Sequence, residues 1–194
     1  MNYRYDEAKA TQAAAYLIKK YGGELKYMKL IKLLYLADRK SIELFGTPIV
    51  PDTFVSMPRG PVLSHVLDAI NSDDNGIWSE FITNSGDHCV SIKNDPGVGD
   101  LNRRSLRILD EVDSEWHTID QYAICTWMHE NLPEWEDPNG SSIPISPQKL
   151  MKAVGLDVTM IRKLIDEEKI FQDEDIIFET LRRGERVSLS CADA

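Results

Sequence analysis

Residues Leu25 to Asp38 read LKYMKLIKLLYLAD, and the apolar side chains of this run would cover much of the circumference of an α-helix. A helix that is apolar on several sides packs in the centre of a domain. The sequence therefore predicts a central helix from about Leu25 to Leu44, which Gly46 ends. The side chains expected in the core are Tyr27, Leu30, Ile31, Leu33, Leu34 and Ala37.

Residues Met57 to Val62 read MPRGPV and follow a segment, residues 49–58, that is rich in proline and β-branched residues and should be extended. Proline fits the first turn of a helix, where its missing amide hydrogen is not needed. We therefore predict that Gly60 and Pro61 form a tight corner that begins a helix. The apolar stripe of that helix would be Val62, Leu63, Val66, Leu67 and Ile70.

Residues Cys125 to Trp135 read CTWMHENLPEW. We predict a helix that begins at a Thr118 cap and ends near Asn131, because Pro133 disfavours helical geometry in the residue before it. His129 would then lie in the last turn, where the helix dipole favours its protonated form. We expect Trp135 to be partly exposed and to fold back against the central helix, so that the two distant motifs meet.

These motifs, in this order and at this spacing, resemble the Panacea domain, also called the SocA-like antitoxin domain, over roughly residues 1–156. The features that carry the resemblance are the KLIKLLY helix, the small-residue turn before Pro48, the Gly-Pro-Val corner, and the helix that ends in a His before a Pro-x-Trp exit. Family members often have an aromatic residue just before the corner, whereas this chain has Met57, Pro58 and Arg59 there. Any aromatic contact at the corner is therefore not expected here.

The resemblance implies an antitoxin that neutralises a cognate toxin by stoichiometric binding. Some family members instead resemble proteolytic adaptors, which hand a bound toxin to a AAA+ protease. Arg and Trp side chains are frequent hot spots of protein interfaces, so we expect Arg59 and Trp135, together with Tyr27 and Tyr35, to bind the partner. An ion pair on the surface is the alternative role for Arg59. The expected structural residues of the motifs are Leu30, Leu33, Leu34, Gly60, Pro61, His129 and Pro133.

The composition of the chain limits the kinds of partner that it can bind. The 194 residues include 42% hydrophobic and 28% charged residues and carry a formal net charge of −10. An acidic chain is repelled by phosphates, so a basic protein toxin is a better partner than nucleic acid. The apolar runs are too short to span a membrane, and the first residues lack the apolar segment of a signal peptide. The three scattered cysteines, Cys89, Cys125 and Cys191, favour a reducing cytoplasm.

The sequence offers few signs of catalysis, and we expect no catalytic residue, no cofactor and no metal. Cys125 and His129 stand four residues apart and could supply half of a zinc site, but no second pair has metal-binding spacing. Two other classes stay open. One is an enzyme or small-molecule-binding protein of the prophage type, with a site built from His129 and Tyr35. The other is a nucleic-acid-binding antitoxin that uses residues 148–169, although the acidic residues 166–168 would repel phosphates.

Periodicity along the whole chain predicts a predominantly helical α+β fold, with about seven helices and one small β-hairpin within residues 77–93. The expected helix caps are Asp6 for the first helix and Ser146 for the sixth. A fourth helix should span about residues 101–116. We expect a Panacea-like domain over residues 1–156, followed by a C-terminal helix of about residues 157–169 and a tail to residue 194 that pack on the domain or extend it.

Overall fold

A computed structural model describes residues 3–72 and 76–182 of the chain. These residues form eight helices and two small antiparallel sheets of three strands each, which confirms a predominantly helical α+β fold. The chain divides into two compact units, one up to Leu156 and one from Asp157 onward. None of the described helices combines the length and apolar character that a membrane crossing requires.

The first unit contains seven helices and six strands. The helices are α1 (Glu7–Lys20), α2 (Tyr27–Phe45), α3 (Ser64–Asn71), α4 (Ile77–Phe81), α5 (Arg103–Trp116), α6 (Gln121–Asn131) and α7 (Pro147–Ala153). The strands are β1 (Glu24–Lys26), β2 (Phe54–Met57), β3 (Gly60–Leu63), β4 (Ile82–Gly86), β5 (Cys89–Ile92) and β6 (Ile143–Ile145). The second unit contains α8 (Val158–Arg182).

Helix α2 is the centre of the first unit, as its apolar circumference predicts. It contacts α1, α5, α6 and β3, and Leu30, Leu33 and Leu34 are at most 1% exposed. Gly46 ends the helix in the left-handed conformation with φ of 75°. The start lies two residues later than expected, because Leu25 belongs to β1 and pairs with Val90 of β5.

The first sheet has the strand order β1-β5-β4 and contains the predicted hairpin, which joins β4 to β5. The prediction placed the start of this hairpin too early, at residue 77, whereas β4 begins at Ile82. Residues 77–81 form α4 instead, and Trp78 of that helix is buried in the core with 4% exposure. Burial of this large aromatic side chain is a tertiary effect that an alternating pattern does not reveal.

The second sheet, with the order β3-β2-β6, corrects the prediction that Gly60 and Pro61 begin a helix. Gly60 pairs with Met57, and Pro61 pairs with Ser56, so the Gly-Pro pair follows the turn of a hairpin. Proline is tolerated because β3 is an edge strand, where a missing amide hydrogen costs little. Helix α3 begins only at Ser64.

Side-chain caps begin four of the seven helices of the first unit. The side chains of Asp6 and Ser146 accept hydrogen bonds from the backbone amides of Lys9 and Lys149, which confirms both caps. The predicted Thr118 cap is wrong, since the Asp120 carboxylate accepts from two amides and begins α6 there. Two further predicted ends are also corrected. Helix α5 begins after the Asn102 cap, and α8 continues beyond residue 169 to Arg182.

Candidate functional site

The chain after α6 meets the hairpin turn between β2 and β3 at Trp135, which we expected to lie against the central helix. The residue before it, Glu134, is the one that bonds to that helix. The indole Nε1 of Trp135 donates a hydrogen bond of 3.0 Å to the backbone carbonyl of Met57. The ring of Trp135 also stacks on His129, with 4.0 Å between ring centroids. We call this place the junction, and its members are Lys32, Tyr35, Arg39, Gly60, Pro61, His129, Glu134 and Trp135.

Lys32 of α2 supports the turn by hydrogen bonds from a buried position. Its side chain is 1% exposed, and its Nζ donates hydrogen bonds to the carbonyls of Gly60 at 2.8 Å and Pro61 at 3.0 Å. No described carboxylate forms an ion pair with it. Burial disfavours the charged ammonium and lowers the pKa of Lys32 to about 8. Lys32 therefore serves as an internal hydrogen-bond donor that holds the turn, and not as a surface charge.

Gly60 is needed at the turn for two reasons. Its φ of +94° lies in a region that side chains with a Cβ rarely adopt. A Cβ at this position would also lie 3.3 Å from the Nζ of Lys32 and 3.4 Å from the Sδ of Met128. The glycine lets the strand approach both α2 and α6 closely.

Glu134 connects the chain after α6 to the central helix α2 by hydrogen bonds. This carboxylate is 0% exposed, and its Oε1 accepts hydrogen bonds from the Tyr35 hydroxyl at 2.9 Å and from Nε of Arg39 at 2.8 Å. Burial and the nearby carboxylate raise the pKa of Tyr35. Tyr35 itself has no exposed area, so its predicted contact with a partner is corrected to an internal role.

His129 lies in the last turn of α6, where we expected the helix dipole to favour its protonated form. The structure corrects this expectation, because burial, and secondarily the neighbouring Lys32, lower the pKa of His129. Its Nε2 is buried and has no hydrogen-bond partner among the described residues. The end of α6 at Asn131, just before Pro133, is confirmed.

Cys125 is a buried free thiol, whose pKa burial raises. Neither it nor any other described His, Cys, Asp or Glu belongs to a group of three that could hold a metal ion. Cys191 lies outside the described residues. The contacts of the junction itself are hydrogen bonds and ring stacking.

The candidate partner-binding residues lie in three different surroundings. Arg59 is exposed in the turn between β2 and β3, and no described residue forms an ion pair with it. Trp135 is half-buried and bonded to the same turn. Tyr27 is half-buried, and its ring lies 6.0 Å from that of His88, near the β4–β5 turn. The structure thus brings Arg59 and Trp135 to one turn and leaves Tyr27 against His88.

Sequence reasoning missed three charged members of the junction, which are Lys32, Arg39 and Glu134. A signal for the first two was present, because Lys32, Tyr35 and Arg39 recur at intervals of three and four residues and so share one face of α2. When one helix face carries a tyrosine between two cations and that face is buried, these side chains need hydrogen-bond acceptors inside the protein. Glu134 stands between the motif residues Pro133 and Trp135, but its contact with Tyr35 spans 99 residues and has no local signal.

Comparison with known proteins gives one match. The family model described as antitoxin SocA-like, Panacea domain, matches residues 30–136, which is just over half of the chain. The matched segment includes every residue of the junction. No curated protein and no solved structure matches the chain.

Proposed function

Because this chain belongs to the SocA-like Panacea domain family of antitoxins, we propose that it neutralises one cognate protein toxin by direct, stoichiometric binding in the cytoplasm. The observation that carries the proposal is the family match across the entire junction. In this mechanism the antitoxin covers the active or substrate site of the toxin. No catalytic step by the antitoxin is needed.

The turn that carries Arg59 is suited to binding because its backbone is held from two sides. Lys32 bonds to the carbonyls of Gly60 and Pro61, and Trp135 bonds to the carbonyl of Met57. A surface that is already ordered loses little conformational entropy when a partner docks. We therefore propose that Arg59 and the exposed part of Trp135 contact the toxin.

The charge of the chain supports a basic toxin. With a formal net charge of −10, the antitoxin attracts a cationic partner over a distance comparable to the Debye length. Such complementarity mainly accelerates encounter and selects the partner. Arg59 would then be a local contact to an acidic or polar group within a complex that is attracted by the opposite overall charges.

The proposal is tested by coexpressing the chain with the protein that is encoded next to it and by measuring their affinity. We expect the wild type to restore growth and to form a stable equimolar complex in isothermal titration calorimetry. Arg59→Ala should weaken binding at least about tenfold, as loss of a hot spot does. Arg103→Ala is the matched control, because Arg103 is an exposed arginine of α5 that, like Arg59, forms no ion pair with another described residue.

Failure of the folded wild type both to bind and to restore growth would overturn the antitoxin function. If Arg103→Ala weakens binding as much as Arg59→Ala does, the turn is not the contact surface. The amount of toxin in the same coexpressing cells distinguishes occlusion from delivery to a AAA+ protease. Occlusion leaves the amount of toxin unchanged, whereas delivery lowers it in cells that contain the protease.

A further inference from the structure

A second surface of the first unit has the features of a binding site for a cationic side chain. Helices α2, α5 and α6 enclose a cavity of about 240 Å³ on the surface. Its apolar walls are Leu36, Val112, Trp116 and Trp127. The two tryptophan rings meet edge to face with 4.8 Å between centroids. Trp116 is buried, whereas Trp127 is only half-buried and offers part of its ring to a ligand. We call this cavity the Trp groove.

Counted together with the two carboxylates that pair with its cations, the Trp groove carries two more negative than positive charges. Its two cations already have partners, since Nε of Arg39 lies 2.8 Å from Oε1 of Glu134, and Nζ of Lys40 lies 2.9 Å from Oε2 of Glu111. The two acidic residues of the groove, Glu43 and Glu115, are exposed. No described residue forms an ion pair with either of them. An incoming cation therefore meets two carboxylates that no internal cation neutralises.

We propose that the Trp groove binds an arginine side chain of the toxin. The flat guanidinium group would stack on the exposed part of Trp127 and donate hydrogen bonds to Glu43 and Glu115. Arginine fits better than lysine because a planar guanidinium both stacks on aromatic rings and offers several donors in a fixed geometry. This inference rests on the proposed function. It adds a second contact, separate from Arg59, at which the antitoxin recognises a guanidinium group of the toxin.

The first test uses a small probe and needs no toxin. N-acetylarginine methylamide is titrated into the ¹⁵N-labelled full chain, and the indole N–H signals of the four tryptophans are followed by NMR. We expect saturable shifts at Trp116 and Trp127 and none at Trp78 or Trp135. The neutral isostere N-acetylcitrulline methylamide should bind at least about fivefold more weakly. The lysine analogue should also be weaker than the arginine probe.

Matched variants test the two carboxylates. The double variant Glu43→Gln, Glu115→Gln should weaken binding of the arginine probe at least about fivefold. The control double variant Glu24→Gln, Glu80→Gln removes the same charge from exposed residues outside α2, α5 and α6 and should bind the probe like the wild type. Absence of saturable shifts, or equal binding of the citrulline probe, would overturn the groove as a cation site. Equal binding of the lysine probe would overturn the assignment to arginine.

The toxin complex then separates this inference from the proposed function. If the wild type binds the toxin, the Glu43→Gln, Glu115→Gln variant should bind it at least about tenfold more weakly than the control double variant. A complex of unchanged affinity would overturn the groove inference and leave the antitoxin function intact. If the wild type forms no complex, the antitoxin function fails, and a toxin arginine fails with it, whatever the probe titration shows.

Discussion

Single residues at the junction define how the turn is held, and Gly60 offers the sharpest test. Gly60→Ala must accommodate a positive φ and also a Cβ within 3.3 Å of Lys32 Nζ. Gly140→Ala is the control, because Gly140 has a φ of +88° but no neighbouring atom within 4 Å. We expect a cost of about 1–2 kcal/mol for Gly140→Ala from backbone strain alone and at least about 1 kcal/mol more for Gly60→Ala. Urea denaturation measures both, and equal costs would show that the turn is not closely packed.

Lys32 predicts a pH dependence of stability. Its pKa is about 8 in the folded chain, against an ordinary value of 10.5. Between these values the unfolded chain binds more protons at this residue, so the free energy of unfolding rises with pH. From pH 8 to 9.5 the contribution is roughly 1–2 kcal/mol. We expect this rise in the wild type and in the exposed-lysine control Lys152→Met, but not in Lys32→Met. The same slope in all three chains would contradict a buried, weakly basic Lys32.

At the scale of elements, the stability of the unit depends on α2. Leu34 is 1% exposed, whereas Leu44, near the end of the same helix, is 53% exposed. Leu34→Ala should cost about 2–5 kcal/mol, as truncation in a core does, and Leu44→Ala should change stability by less than about 0.5 kcal/mol. Thermal and urea unfolding measure the difference. A cost below about 1 kcal/mol for Leu34→Ala would mean that α2 is not central.

The elements that sequence predicts well are those with local signals. The apolar circumference of α2, the Asp6 and Ser146 caps, and the end of α6 before Pro133 all depend on neighbouring residues. The segment around Gly60 and Pro61 is a strand rather than the predicted helix start, because β3 pairs with β2, and β2 pairs on its other side with β6, nearly ninety residues away. The candidate site shows the same division. The sequence motifs make Arg59 and Trp135 candidates for the site, but the bond between Tyr35 and Glu134 depends on the complete fold.

At the scale of the whole molecule, net charge should control association. Raising the salt concentration from about 0.1 M to about 1 M shortens the Debye length from about 10 Å to about 3 Å. We expect the association rate with the toxin to fall at least about tenfold, while the dissociation rate changes little. Stopped-flow tryptophan fluorescence measures both rates. An association rate that does not depend on salt would show that the charge of −10 has no part in recognition.

The position of β2 between β3 and β6 has a consequence for when protection begins. The turn that carries Arg59 emerges early in synthesis, shortly after its support Lys32, but its other supports arrive late. Trp135 and the β6 residues Ile143–Ile145 come about eighty residues after it, and contacts between distant segments form slowly. A truncated chain that ends before residue 135 therefore keeps the Lys32 bonds to the turn but lacks both Trp135 and β6. Under the proposed function, protection of a growing cell would depend on complete antitoxin chains, whose supply would have to keep ahead of the supply of toxin.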